Sequence, residues 1–412
     1  MTGPKASVLT RWTQAWTAWQ VRDFRWFWLG QVLRLTGAWM QFAAMGWMAY
    51  RLTDSASMLG WIQFISLLPV GLISLAGGVI SDRVPPRKLV WGTQVVLVVQ
   101  ALVLAGLAWT GWVRLWQIML MTFVVGAADA LEQPARYVIS FRLVGQEGLS
   151  NAIGLFTLAE SVARSLAPAI AGALIQWQGE ASSFATNGVV YLLAGLAFSG
   201  LPLLGVQPSS RPTSLQADLL DAPRTLLKSE TARGLLLLLS ASCLLVQPYV
   251  ILIPVWARDV LETDARGYGL LMSAVGAGAA CGALIASSIQ PGRRGRWLIG
   301  STLAFPIFLI LASAWRWLPI NAGLFLLAGA SQFVQLVLAF SLLQLATQSH
   351  LHGRVASLYA LLTNGLTRLG GVQAGLIASR WSAPAAVTGG ALLCILWSLI
   401  VVWKSPAIHH LK

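Results

Sequence analysis

Long apolar runs, each closed by a short polar or basic stretch, recur along the whole chain. At about 1.5 Å per residue, roughly 20 such residues cross a bilayer's hydrocarbon core as a helix. Only helices and closed barrels satisfy their own backbone in lipid, and these runs are far too long for barrel strands. The pattern predicts helices over 26–50, 56–80, 89–110, 115–137, 151–176, 184–206, 234–257, 268–289, 297–316, 319–345, 355–379 and 384–403. The expected fold is therefore an all-α membrane protein of twelve transmembrane helices. The longest polar stretch, 207–233, divides them into six-helix bundles at 25–206 and 234–403, flanked by a polar segment 1–24 and a tail 404–412.

Composition agrees. Hydrophobic residues make up 57% of the 412 and charged ones only 10%, with a mean hydropathy of +0.70. A soluble domain carries about 25% charged residues because its surface faces water, so here the solvent is the bilayer. With both termini taken as cytoplasmic, nineteen Lys and Arg fall on that side and six on the other, while Arg34, Arg164 and Arg368 lie within helices. That asymmetry is the positive-inside pattern and places the chain in an inner membrane. It assigns the net charge of +14 to anionic lipid rather than nucleic acid. Trp109, Trp112, Trp116, Trp315, Trp317 and Trp381 collect near the far side as an interfacial belt. Trp12, Trp16 and Trp19 share a face that suits either an interfacial helix or a disordered basic tail. No cleavable leader pattern precedes the first span. Cys243, Cys281 and Cys394 read as small buried hydrophobes, and all four histidines lie outside the apolar runs.

The two groups of helices echo one another. Asp54 and Gly60 have counterparts in Asp264 and Gly269, and Gly78 and Gly282 each close a second helix before a basic turn. Parallel halves place a transporter's binding site between them near the midplane. The first of those turns, Gly78-Val-Ile-Ser-Asp82-Arg83-Val-Pro-Pro-Arg87-Lys88, resembles the signature of the major facilitator superfamily, with Pro85 and Pro86 in place of a glycine and an arginine. The resemblance implies that Gly78, Asp82, Arg83, Arg87 and Lys88 form a latch that holds one state of alternating access closed. A solvated turn that only sets orientation is the plainer alternative. Leu149-Ser-Asn-Ala-Ile, Ala163-Arg-Ser-Leu-Ala-Pro-Ala-Ile-Ala-Gly, His352-Gly-Arg-Val-Ala-Ser-Leu-Tyr, and Pro254-Val-Trp-Ala-Arg-Asp-Val-Leu in the expected outer loop after helix 7 narrow it. Together they look like the branch of enterobactin-type siderophore exporters and macrolide-efflux proteins. Around Pro168 the chain is also similar to an antiporter motif, with Ala167 where a glycine is usual.

An ionisable group in the bilayer is costly unless paired, so each is a functional candidate. Counting along the helices from the cytoplasmic side puts Glu132 at about 6 Å, Asp129 at about 10 Å, Arg34 at about 12 Å and Glu160 at about 13 Å, with Arg164 and Arg368 at about 20 Å. Glu160 with Arg164 and Glu132 with Arg136 are four apart, acid first, the favoured order. Such pairs serve function or merely neutralise each other; Glu132 with Arg136 reads more simply as the latter. Helices 1, 4 and 5 line the cavity in the family, which marks Glu160 and Asp129 as proton-coupling residues and Arg34, Arg164 and Arg368 as substrate-binding. Gln332 and Gln335 share one face and either bind a polar ligand or join helices.

The expected function is export of a small organic molecule, a siderophore-like anion or an amphipathic drug, in exchange for protons. Import of an organic anion is the nearest alternative, followed by a non-transporting receptor or scaffold. The expected partners are the substrate, protons and the lipid bilayer. No phosphate-cradling loop, metal-ligand cluster or nucleophile constellation stands out, so no enzyme activity, metal or cofactor is expected.

Overall fold

The computed structural model describes residues 17–69, 84–202, 229–348 and 351–405. Within them the chain is helical almost throughout: α1 (Arg22–Thr53), α2 (Ala56–Ile65), α3 (Pro86–Thr110), α4 (Leu115–Gln146), α5 (Asn151–Gln178), α6 (Glu180–Ser199), α7 (Glu230–Val260), α8 (Ala265–Ser288), α9 (Arg294–Ala314), α10 (Leu318–Leu345), α11 (352–380) and α12 (Ala383–Lys404). Nine of the described helices are long and apolar enough to span a membrane. A single turn, Thr17–Gln20, precedes α1. It packs Trp19 edge-on against Trp28, while Trp12 and Trp16 lie outside the described residues.

Helix ends follow local chemistry. Proline in the first turn starts α3, α10 and α12, where its missing N–H costs nothing. Asp264, Ser229 and Ser382 accept hydrogen bonds from first-turn amides of α8, α7 and α12. Between α4 and α5 the direction changes at Gly145, whose φ of 66° suits only a residue without a Cβ. Thus α4 runs to Gln146, well past the expected 137, and α6 stops at Ser199 instead of reaching 206.

One element departs from the sequence reading. Pro254–Val260, which overlaps both the helix expected over 234–257 and the outer loop expected after it, is wholly the last part of α7, with Trp256 fully buried and its Nε1 donating to Asn321 Oδ1 at 3.1 Å. In sequence the apolar run reads as ending earlier because Arg258 and Asp259 look like loop charges. Upstream, α7 passes through wide and tight turns, Ser242–Val246 and Gln247–Leu252, and Pro248 supplies no amide to a regular ladder. Helix α11 carries a similar wide turn over Leu361–Leu366. Thr367 bonds Gln247 at 3.2 Å, so the two irregular stretches face each other.

The cores show how the bundle is assembled. At the end where α1 starts and α12 stops, one core draws only on α1 to α6 and their flanks, including Phe24, Phe27, Ile139 and Phe198. A second draws only on α7 to α12, including Leu235, Leu298, Leu338 and Val401. Toward the opposite end the two groups share one core, with Met48 and Tyr50 beside Leu252, Trp256, Tyr268 and Leu271. Two crossings seal that end. A Cβ on Gly172 would meet the Ala265 carbonyl oxygen at 2.3 Å, and one on Gly269 the Pro168 oxygen at 2.6 Å, bringing α5 against α8. Likewise, a Cβ on Gly60 would meet Gly371 O at 2.5 Å and one on Gly375 Ala56 O at 2.7 Å, bringing α2 against α11. Small residues are what let helix backbones approach this closely.

Charges reinforce the sealed end. Arg258 pairs with Asp54 at 2.6 Å, the Tyr50 hydroxyl donates to Asp259, and Trp47 stacks on Tyr268 with centroids 5.5 Å apart. Trp109, Trp112, Trp116, Trp315, Trp317 and Trp381 are all exposed there, joined by Trp177. A second exposed set, Trp26, Trp91, Trp297 and Trp403, rings the end where α1 starts and α12 stops, and between the rings leucines such as Leu102, Leu192 and Leu392 face outward. An apolar waist between two aromatic belts is the surface a bilayer selects.

Candidate functional site

Among α1, α4 and α5, beside the core of the first group, lies a cavity of about 300 Å³ whose walls include Phe27, Gln31, Leu35, Arg136, Tyr137 and Glu160. Its lining is mixed: a guanidinium, a carboxylate and an amide set among phenyl and aliphatic groups. Such a surface suits an amphipathic molecule.

Deeper between α1, α3 and α4 is the first charge cluster. Arg34 is 3% exposed; it pairs with Asp129, and its Nε lies 2.8 Å from Glu132 Oε1. Glu132 is completely buried and accepts from Thr93 Oγ1 at 2.8 Å and Gln94 Nε2 at 2.9 Å. Arg136, one turn along, reaches Glu132 at only 3.8 Å and donates to Gln31 Oε1 at 3.3 Å. The Asp129 side chain, by contrast, is 46% exposed. From sequence, Glu132 pairs locally with Arg136. The structure makes Glu132 the centre of the cluster, held mainly by Arg34. Three residues along α4 turn one carboxylate into the protein and the other toward the opening.

The second cluster joins α1 and α5 to α10. Glu160 Oε1 accepts from Trp39 Nε1 at 3.0 Å and lies 3.4 Å from Arg164 Nη2, the expected pair one turn on. The Arg164 guanidinium sits 4.5 Å from the centroid of Trp39 and 4.8 Å from that of Phe333. Neither ring was legible as a partner in sequence, because residue order along α1 and α10 does not say which neighbouring helix each ring meets.

The other expected site residues are dispersed. Arg368, on α11 just past its wide turn, has no ion pair among the described residues, and the carboxylate acting on it electrostatically is Asp129. Gln335 is buried and accepts from Ser242 Oγ at 2.9 Å, tying α10 to α7, while Gln332 is half-buried. Of the expected latch, Gly78, Asp82 and Arg83 lie outside the described residues. Arg87 donates to the Ser199 carbonyl at the end of α6, a cation at a helix C-terminus, and Lys88 is exposed. A further buried amide chain, Asn187 to Gln41 to Gln100 at 2.7 and 2.6 Å, pins α6, α1 and α3 together.

Residues 13–409 match the family described as transmembrane secretion effector. Among individual relatives, the uncharacterised MFS-type transporter y4rN of Sinorhizobium fredii is 26% identical over 330 residues, 79% of this chain and 80% of its own length. The enterobactin exporter EntS of Shigella boydii is 26% identical over 369 residues, 84% of this chain and 82% of its own. In structure, the nucleoside transporter NupG superposes with a TM-score of 0.69 over 93% of this chain and 100% of that one, at 12% identity.

Proposed function

Starting from a chain that belongs to the transmembrane secretion effector family of the major facilitator superfamily, we propose that it exports a small amphipathic or anionic organic molecule in exchange for protons. In this reading twelve helices form two six-helix halves with both termini in the cytoplasm. The structure then corresponds to the state sealed on the outer face, with its cavity toward the cytoplasm. Gly78, Asp82, Arg83, Arg87 and Lys88 act as the latch that closes the cytoplasmic end in the alternate state.

The observation that carries the reading is that each partly exposed carboxylate near the cavity is matched to an arginine, Asp129 to Arg34 and Glu160 to Arg164. A buried carboxylate keeps its charge while a cation offsets its desolvation. Facing the cytoplasm, the ionised carboxylate holds a hydrogen-bond-donating group of the substrate, and after the site opens outward a proton taken up by the carboxylate displaces that group. When the emptied site turns inward its arginine closes on the carboxylate again, lowers its proton affinity and expels the proton inside. Substrate and proton thus compete for one carboxylate, the thermodynamic condition for antiport. Arg368, facing Asp129 from the other half, supplies a second cation to the same site, and Gln332 and Gln335 add polar contacts.

In inverted vesicles challenged with a panel of siderophores and macrolides, Glu160→Gln, Asp129→Asn or their combination is expected to abolish pH-driven uptake while leaving substrate binding intact. Undiminished pH-driven uptake by all three would make the clusters structural. Orientation is tested separately. A fluorescent protein fused to the C-terminus is expected to fluoresce, and an alkaline phosphatase fused there to be inactive; the reverse result would overturn the cytoplasmic placement.

A further inference from the structure

Two charged side chains of opposite sign line the cavity among α1, α4 and α5: Arg136 from α4 and Glu160 from α5. Both are partly open, the Arg136 side chain 20% and the Glu160 side chain 36% exposed. Both are also loosely paired. Arg136 reaches Glu132 at only 3.8 Å and Gln31 Oε1 at 3.3 Å, and Glu160 meets Arg164 at 3.4 Å. Good charge-assisted hydrogen bonds are about 2.7–2.9 Å. The one shorter contact of Glu160, 3.0 Å from Trp39 Nε1, comes from a neutral donor and falls on Oε1, as the Arg164 contact does. Beside Arg136 the Gln31 side chain is buried, and its Nε2 has no hydrogen-bond partner. A cation and an anion therefore share one small space, with an unanswered donor next to the cation. Charges within a membrane are costly unless answered, and natural structures retain few buried donors without a purpose.

We propose that this cavity seats a zwitterion of the α-amino-acid type with a large apolar side chain. Its carboxylate takes the guanidinium edge of Arg136 and the adjoining Gln31 amide, and its ammonium takes Glu160. The apolar group lies against Tyr137, Ile153 and Phe156, which line the same cavity. A simple anion would answer Arg136 but bring like charge toward Glu160, and a simple cation would do the reverse. A ligand carrying both signs answers both. The proposal rests on the export reading in that it names the substrate class for the same cavity, and it makes Arg136 a specificity-determining residue. It also gives the proton its rival, since ammonium and proton claim the same Glu160 carboxylate.

The test is equilibrium titration of the purified, detergent-solubilised full-length protein at neutral pH with phenylalanine, 3-phenylpropionate, phenethylamine and alanine. The second lacks the ammonium, the third the carboxylate and the fourth the apolar group. Phenylalanine is expected to bind more tightly than either single-charge analogue by at least about tenfold, the worth of one charge-assisted hydrogen bond, and more tightly than alanine. Arg136→Gln is expected to bring phenylalanine down to the level of phenethylamine and to leave phenethylamine unchanged. Glu160→Leu, which unlike the glutamine variant offers no acceptor, is expected to bring it down to the level of 3-phenylpropionate. No binding of phenylalanine to wild type, or an analogue that binds as tightly, would overturn the proposal. Wild-type affinity for phenylalanine in Arg136→Gln would do so too. The analogue series needs no substitution, so it decides the matter even where a variant fails to fold. Direct binding is blind to direction and coupling. Failure here therefore leaves the export reading standing, and failure of the vesicle experiment leaves this seat standing.

Discussion

Replacing Arg34 with leucine is expected to remove transport and to destabilise the fold by about 3–5 kcal/mol, the cost of stranding a buried charge. The reason is the position of Glu132. That carboxylate is fully buried, its hydrogen bonds come from the neutral Thr93 and Gln94, and its second cation, Arg136, stands 3.8 Å away. Without Arg34 the charge has no adequate counterpart. The double variant Arg34→Leu with Glu132→Gln is expected to regain most of the stability, because an apolar side chain beside an amide leaves no unpaired charge, but to remain without transport. Thermal unfolding of the three purified proteins in detergent, beside vesicle transport, separates the two effects. An Arg34→Leu protein as stable as wild type would show that the pair contributes little, and that Glu132 sits in a wetter place than its contacts indicate.

The second large effect is expected at the crossing of α5 and α8. A Cβ on Gly172 would already sit 2.3 Å from the Ala265 carbonyl oxygen, and backbone cannot swing aside as a side chain can. Gly172→Leu therefore has to push the helices apart. Overpacking of this kind costs about 1–3 kcal/mol, and the penalty falls only on the state in which this end is sealed. The ratio of sealed to open molecules is expected to drop by about 5- to 150-fold, and transport with it, while each half keeps its own core. Gly60→Leu, at the matching crossing of α2 and α11, is expected to act in the same way. In a background lacking the three native cysteines, Met48→Cys reports the change, since Met48 is wholly buried in the shared core of the sealed end. Labelling by an impermeant maleimide from that side is expected to rise sharply with either substitution. Unchanged labelling together with normal transport would mean that the crossings flex freely and do not set the balance of states.

Most of what one dimension can encode was legible. In a bilayer the solvent is a slab of fixed thickness, so span length, interfacial tryptophans and the sign of the flanking charges are written directly into residue order. That is why α8 to α12 begin and end within a few residues of their expected limits, and why the charge-bearing positions Arg34, Asp129, Glu160 and Arg164 stood out in otherwise apolar runs. The glycine echo between Gly60 and Gly269 was visible too, although not its meaning, which is that both residues bring helices of the two groups into backbone contact.

Rotation about each helix axis was not encoded in that way. A helix apolar on all sides carries little amphipathic signal, so nothing in α4 told which of Asp129 and Glu132 turns inward; the packing of α1 and α3 decided it. Trp39 and Phe333 were invisible as partners of Arg164 because they come from helices distant in sequence and converge on it only when α1, α5 and α10 are assembled. The last turn of α7, beyond the expected limit of 257, was missed for a related reason. Arg258 and Asp259 look like loop charges when only their polarity is counted, but partners from α1 and its C-cap, Tyr50 and Asp54, let a helix carry them at the seam. Hydropathy along the chain thus decided what lies in the membrane, while contacts between helices, which no local window contains, decided which charges meet.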